Sequence, residues 1–363
     1  MAQRRKLLFY THALVSGGAE RVFARLASGF RARGDEVTFA VDVDAKQDLG
    51  LLSRDVELVV LPKGHRAAVL GLARLLRERR PDASLSALSV SNLKHALAAT
   101  LAGRRARAIL GYHGFYESEP ERLSNIGYRL TPLLTRGAGA TVAVSNALRD
   151  DVVARFHAPA DRVVTLYNPA APEPFPAELS SAALARRAPV VLAMGRLVPD
   201  KDFLTLLRAF ARLQDDAARL VILGEGPERE RLVGEAQALG VAARVDMPGY
   251  RLDTARELLR AKCCVVSSRR ESFGLSCIEA LAHGLPVVAT DCGGPAEILG
   301  SLCAGAPAPV GDAPALARAL DAALANPGDP APRQSRAREF SLDAALDAYN
   351  RVIQDVAKRA AGA

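Results

Sequence analysis

Short apolar runs alternate along the whole chain with longer stretches of helical period. In the first half the runs are KLLFYT, EVTFAV, VELVVL, AILGYH and ATVAVS, with a more polar one, ASLSAL, among them. In the second half they are PVVLAMG, RLVILG, RVDMPG, CCVVSS and LPVVAT. Apolar runs without polar alternation predict strands covered on both faces, as in parallel sheets. Alternation of such strands with amphipathic helices predicts two doubly wound α/β domains. The stretch YNPAAPEPFPAEL carries prolines at 169, 172, 174 and 176 and reads as a stiff linker. A second break, NPGDPAPRQ, precedes a closing helix over 341–358, with Leu342, Leu346, Tyr349, Ile353 and Val356 at helical spacing behind Ser341 as N-cap. The expected organisation is a domain over 1–168, a domain over 169–340 and a terminal helix over 341–363. No repeat at solenoid periods is visible.

The length of 363 residues exceeds what one core normally spans and agrees with two domains. With 49% apolar and 24% charged residues the chain is globular rather than disordered. The opening MAQRRKLLFYTHAL resembles a signal peptide, but its apolar run is short and His12 interrupts it, so a first strand fits better. No run reaches the roughly 20 apolar residues of a membrane span. The five cysteines lie in the second half with no C-x-x-C pair, which predicts buried thiols rather than a zinc or disulfide framework. The net charge of +8 is uneven: residues 1–170 hold 25 Lys/Arg against 16 Asp/Glu, a balance of +9, and the rest sums to −1. A polyanionic small molecule, anionic lipid or nucleic acid could answer that charge.

Candidate chemistry gathers in the loops after strands, where open α/β sheets bind ligands. In VSGGAERVFARL, Gly17 and Gly18 precede a helix. They either let an anion approach free N–H groups at a helix N-terminus or simply make a tight turn. The spacing is not G-x-G-x-x-G, and no dinucleotide site is expected. His113 follows a strand in AILGYHGFYESE between Gly111 and Gly114, and is either a site residue or a structural histidine; His12 is placed similarly. Arg196 and Lys201 share the loop after PVVLAMG. Two cations there suit a diphosphate, the arginine as a fork and the lysine as a point charge, against the ordinary reading of surface charge. In CCVVSSRRESFGLSCIEALAHG a strand and a loop lead into a helix that stops at Gly284. A helix opening near Gly274 offers the free N–H groups of Gly274, Leu275 and Ser276 to an anion. Glu279 stands five positions on, roughly 7 Å along the axis, about the reach from a phosphate to the far edge of its ribose. Glu271 precedes the helix on the other side. Gly293, Gly294 and Glu297 repeat the glycine-then-helix pattern in TDCGGPAEIL.

Together GRLVPDKDFLTLLRAF, LVILGEGPERERL and ESFGLSCIEALAHGLPVVATDCGGPAEIL resemble the nucleotide-sugar half of retaining glycosyltransferases of family 4. The span from Glu271 to Glu279 matches the E-x7-E motif of that family, GGAER its N-terminal loop and AVSNALRDDV the end of its N-terminal domain. The resemblance covers essentially the whole chain, most specifically in the second half. It implies the GT-B fold: two doubly wound Rossmann-like domains facing across a cleft, with a C-terminal helix crossing back to the N-terminal domain. It further implies that Arg196 and Lys201 neutralise the donor diphosphate, and that the backbone of Phe273, Gly274 and Leu275 holds phosphates or sugar. Glu279 would bind ribose, in agreement with the distance argument, and Glu271 and His113 would approach the sugar. Gly17 and Gly18 would close over the phosphates, and the base would rest near Gly224, Tyr250 and Arg251.

The function implied is retaining transfer of a sugar from a nucleotide-diphosphate sugar, UDP-linked before GDP-mannose, to a glycan or lipid-diphosphate-linked acceptor in bacterial surface polysaccharide or glycolipid synthesis. No cofactor is expected, the reading that no Asp-x-Asp metal motif appears implies metal independence, and retention without an obvious nucleophile suggests same-face attack. The expected location is cytoplasmic, with the basic first half docked on an anionic membrane as the sharper reading of its charge. Alternatives are a small soluble acceptor, a nucleotide-sugar epimerase of the same fold, and a non-enzymatic basic binding module. A glycoside hydrolase with carboxyls about 5 Å apart across a sugar fits poorly, because Glu279 lies beyond the phosphate position. No nucleic-acid partner is expected.

Overall fold

Twelve strands form two fully parallel sheets in the computed structural model, which describes residues 4–14, 17–43, 52–119, 121–303 and 306–362. The first sheet contains β1 (Lys6–Ala13), β2 (Glu36–Val43), β3 (Glu57–Val60), β4 (Ala83–Ala87), β5 (Ala108–Tyr112), β6 (Ala140–Ala143) and β7 (Val163–Thr165), in the order β3-β2-β1-β4-β5-β6-β7. The second contains β8 (Val190–Met194), β9 (Arg219–Leu223), β10 (Val245–Gly249), β11 (Cys263–Val266) and β12 (Val287–Ala289), in the order β10-β9-β8-β11-β12. In each sheet the order reverses beside the first strand, between β1 and β4 and between β8 and β11. Such switch points open a crevice at the carboxyl ends of the strands.

The chain divides into two units, residues 1–169 with 342–363, and residues 170–341. The helix Leu342–Ala361 therefore belongs with the first sheet. Its buried stripe of Ala345, Leu346, Tyr349, Ile353 and Val356 packs there, with Leu346 against the helix Gly18–Ala32. A Cβ on Gly29 would stand 2.7 Å from a Leu346 methyl, so the helices meet closely only because residue 29 has no side chain. Arg33 adds ion pairs to Asp343 (2.7 Å) and Asp347 (2.5 Å). Both aspartates are solvated, so these pairs are worth well under about 1 kcal/mol each, and the apolar stripe supplies most of the attachment.

The polar run ASLSAL forms β4, a fully buried strand between β1 and β5. Its Ser84 and Ser86 share one face and reach the ring of His95, at 2.8 Å from Nε2 and 2.9 Å from Nδ1. Asn92 accepts from Ser86 (2.7 Å) and donates to the Gly111 carbonyl (2.9 Å). Paired in this way, four polar side chains occupy a core that would reject them unpaired. The edge strand β7 escapes the periodicity because it has only three residues, with Val164 exposed. Pro248 lies in β10, an edge strand whose register slips between Asp246 and Gly249, the position where a proline is tolerated in a sheet. Four of the five cysteines are buried, Cys303 is half-buried, and all are free. Burial raises their thiols, Cys263 and Cys292 to about 12, so they are protonated and inert at neutral pH.

Candidate active site

The loops after β8, β9, β11 and β12 are sewn together at the carboxyl edge of the second sheet by backbone hydrogen bonds. Leu197 donates to Glu225 O (2.9 Å), Arg269 to Asp200 O (2.7 Å), Glu271 to Cys292 O (2.8 Å) and Gly294 to Glu271 O (2.8 Å). Glycine is needed where the loops touch. A Cβ on Gly224, at φ +148, would lie 1.9 Å from the Gly195 carbonyl oxygen. One on Gly294 would lie 2.6 Å from Ser272 O. The Gly224 requirement is thus accounted for by loop packing alone, before any ligand is considered.

At the β8/β11 switch point Lys201 and Glu271 form an ion pair, with side-chain exposures of 24% and 17%. Ser267 Oγ donates to the Lys201 carbonyl (2.8 Å), which holds that turn against the end of β11. Asp202 caps the helix Phe203–Phe210 from a left-handed conformation, φ 45. Its carboxylate accepts from Thr205 Oγ1 (2.9 Å) and pairs with Arg269 Nε (3.2 Å). Sequence reasoning passed over Asp202, although D-F-L-T is a capping pattern that could have exposed it. Arg196 is exposed on the same loop as Lys201.

Gly274 takes a left-handed conformation, φ 101, as N-cap of the helix Leu275–Ala282, and no side chain caps that end. Its first N–H groups and the positive end of its dipole follow Glu271 by four residues in sequence. Phe273 is buried with its ring edge-on to Phe340 at 6.0 Å, so it anchors the loop and only its backbone can serve a ligand. Glu279 is half-buried rather than isolated in a core, and accepts from Thr254 Oγ1 (3.2 Å). Thr254 follows β10 by five residues, and the exposed Tyr250 and Arg251 lie in the same segment. β10 is two strands from β8, or about 10 Å.

The sequence carries the Asp-x-Asp spacing twice, at Asp42–Asp44 and Asp200–Asp202, correcting the expectation that it is absent. That absence therefore gives no support to metal independence. The Asp202 carboxylate is already engaged as described, Asp42 binds Tyr10, His12 and Lys94, and Asp44 lies outside the described residues.

The chain matches two family descriptions in tandem, "Glycosyltransferase Family 4" over residues 16–173 and "Glycosyl transferases group 1" over residues 175–340. The chain belongs to the family 4 glycosyltransferases. It is 37% identical over 171 residues to the lipopolysaccharide core biosynthesis glycosyltransferase LpsE of Rhizobium meliloti, an overlap of 46% of this chain and 50% of that protein. The chain spans about half the length of the curated relatives it matches first. Two solved structures share the fold. Anabaena Alr3699/HepE in complex with UDP and glucose has a TM-score of 0.82 at 20% identity, covering 97% of this chain and 100% of that one. The lipopolysaccharide outer core galactosyltransferase WaaB has 0.74 at 18%, covering 96% and 99%.

The first unit of this family 4 glycosyltransferase holds the remaining residues singled out from sequence. Gly17 is the N-cap of the helix Gly18–Ala32, and Val15 and Ser16 before it lie outside the described residues. The Glu20 carboxylate folds over Gly17, 2.1 Å from where a Cβ would stand, and so occupies the space at the helix start. His113 is buried just beyond β5 and meets the Phe23 ring edge-on at 5.4 Å. Burial lowers its pKa to about 3, so its imidazole is neutral at physiological pH. The signal missed in this unit is Asp42. It ends an apolar strand at the carboxyl edge of the sheet and gathers Tyr10, His12 and Lys94 around it.

Proposed function

We propose that this chain moves a sugar from a nucleotide-diphosphate sugar, UDP-linked first, to an acceptor of surface polysaccharide or lipopolysaccharide synthesis. The observation that carries this reading is the Lys201–Glu271 pair at the switch point of the second sheet, ahead of the uncapped start of Leu275–Ala282. Breaking the glycosidic bond puts charge on the departing diphosphate. Lys201, Arg196 and the first N–H groups of that helix would stabilise this charge as fixed donors. Glu279 would accept from the ribose hydroxyls. A neutral His113 would act on the sugar by hydrogen bonding, since it holds no proton to donate as imidazolium. Metal-independent attack from the face of the leaving group, with retained configuration, completes the proposal. LpsE is named for lipopolysaccharide core synthesis and HepE was solved with UDP and glucose, which supports the acceptor class and the UDP preference.

The deciding experiment screens UDP-, GDP- and ADP-sugars for thermal stabilisation and for slow hydrolysis. A UDP-sugar should raise the melting temperature most and be hydrolysed with release of the α-configured sugar. A chain that responds to no nucleotide sugar is not a transferase, and a covalent sugar on Glu271 seen by mass spectrometry would replace the same-face route with double displacement. The Glu279 assignment has its own test. Glu279→Ala should weaken UDP binding about 10- to 100-fold, the effect of losing hydrogen bonds to a charged group. It should leave the affinity for 2′,3′-dideoxy-UDP nearly unchanged; equal losses for both ligands would remove Glu279 from the ribose.

A further inference from the structure

The carboxyl edge of the first sheet holds a charged cluster with no part in the chemistry above. Asp42, at the end of β2, is 9% exposed, and it accepts from Tyr10 Oη at 2.9 Å and Lys94 Nζ at 2.5 Å. His12 Nδ1 lies 2.9 Å from Oδ2, the same carboxylate oxygen that Lys94 reaches. Lys94 is 4% exposed and comes from the helix Ser89–Leu101, which follows β4. The cluster therefore stands where the strand order reverses between β1 and β4, the place where such sheets take ligands.

Desolvating an ammonium and a carboxylate is costly when only packing is gained. Here the pair instead lines a cavity of ≈ 490 Å³, together with the exposed Lys63 and His65. Two lysines face one carboxylate, so the lining is complementary to an anion. The same His65 and Lys94 also line a second cavity of ≈ 390 Å³. The rest of its lining is Arg66, Val69, Leu70, Val90, Leu93, Leu97 and Leu123. Val90, Leu93 and Leu97 follow helical spacing along Ser89–Leu101, and Leu70 answers them from the helix His65–Arg79. Leu70 is 63% exposed and Leu97 49% exposed, so this wall is apolar yet solvated. A charged cavity running into an apolar groove has the shape of an amphiphile.

We propose that the two cavities bind the phosphate head and the hydrocarbon chain of an alkyl or polyprenyl phosphate, the lipid end of the acceptor. The inference rests on the glycosyltransferase reading for its role, but the binding can be measured by itself. The full chain is titrated calorimetrically with dodecyl phosphate, dodecyl maltoside and inorganic phosphate, each below micelle-forming concentration. Dodecyl phosphate should bind at least about 10-fold more tightly than either of the others. Leu70→Asp and Lys63→Glu, both at exposed positions, should each weaken it about 10-fold without altering the thermal shift given by UDP. Inorganic phosphate binding as well as dodecyl phosphate would overturn the proposal, as would a neutral maltoside head binding equally or a Leu70→Asp chain with unchanged affinity. A wild-type chain that ignores every nucleotide sugar but binds dodecyl phosphate would defeat the transferase reading and leave the amphiphile site standing.

Discussion

Lys201→Ala should lower kcat by about 10²- to 10³-fold, the cost of removing one fixed donor from a developing oxyanion. It should weaken UDP binding while leaving the fold intact. Breaking a fully buried ion pair costs about 3–5 kcal/mol, but water reaches both partners here, with 24% and 17% of the side chains exposed. The loops that carry them are held by the backbone bonds Arg269–Asp200, Glu271–Cys292 and Gly294–Glu271, which the substitution does not touch. Glu271→Gln separates binding from catalysis. The Glu271 carboxylate neutralises Lys201, and an arriving diphosphate must compete with it. Without that carboxylate UDP should bind more tightly than in the wild type, while kcat still falls because the sugar loses the neighbouring negative charge that favours an oxocarbenium-like state. Steady-state rates and UDP titrations of the two variants decide the matter. If Glu271→Gln weakens UDP as much as Lys201→Ala does, the pair is a structural clasp and the competition does not exist.

Eleven of the twelve strands were legible because a parallel sheet buried on both faces writes itself as uninterrupted apolar letters. β4 was the hardest of these to read. Its serines look like a loop until His95 and Asn92, which come later in the chain, are seen to satisfy them. The candidate site positions in the second unit were legible for a related reason, since each lies in the loop after a strand or in the helix that this loop opens, and the strand ends mark the crevice. Which residues meet there was not. The Lys201–Glu271 contact joins positions 70 apart, and only the strand order that sets β8 beside β11 brings them together. Asp42 was missed by the converse effect. Its partners come from β1 and from the helix after β4, so nothing near it in sequence marks it as more than the last polar residue of a strand.

Acidification should destabilise the first unit by about 1.4 kcal/mol per pH unit between pH 6.5 and 4.5, and the net slope comes from three buried groups. His95 and His113 are both lowered to about 3 by burial, so the folded unit keeps them neutral where the unfolded chain protonates them at its ordinary 6.5. Together they make the unfolded state richer by about one proton at pH 6.5, where each unfolded imidazole is half protonated, and by nearly two from the middle of the window downward. Glu119 acts the other way. Burial raises its carboxyl to about 7, despite hydrogen bonds from Ser89 N and Ser124 Oγ that favour the ionised form. The folded unit therefore holds a proton on Glu119 that the unfolded chain has lost above its usual 4.5. Two protons less one leaves one, and stability rises with pH wherever the unfolded state binds more protons. Over the two pH units the loss is roughly 2.5 kcal/mol, a large part of a typical domain's 5–15 kcal/mol. Glu119→Gln removes the opposing proton, so the slope should double to about 2.7 kcal/mol per unit. Protection factors of the β4 and β5 amides, measured by hydrogen exchange across the window, report this unit separately from the other. A flat profile would mean that the two imidazoles reach water, and an unchanged slope in Glu119→Gln would mean that Glu119 is ionised in the folded chain.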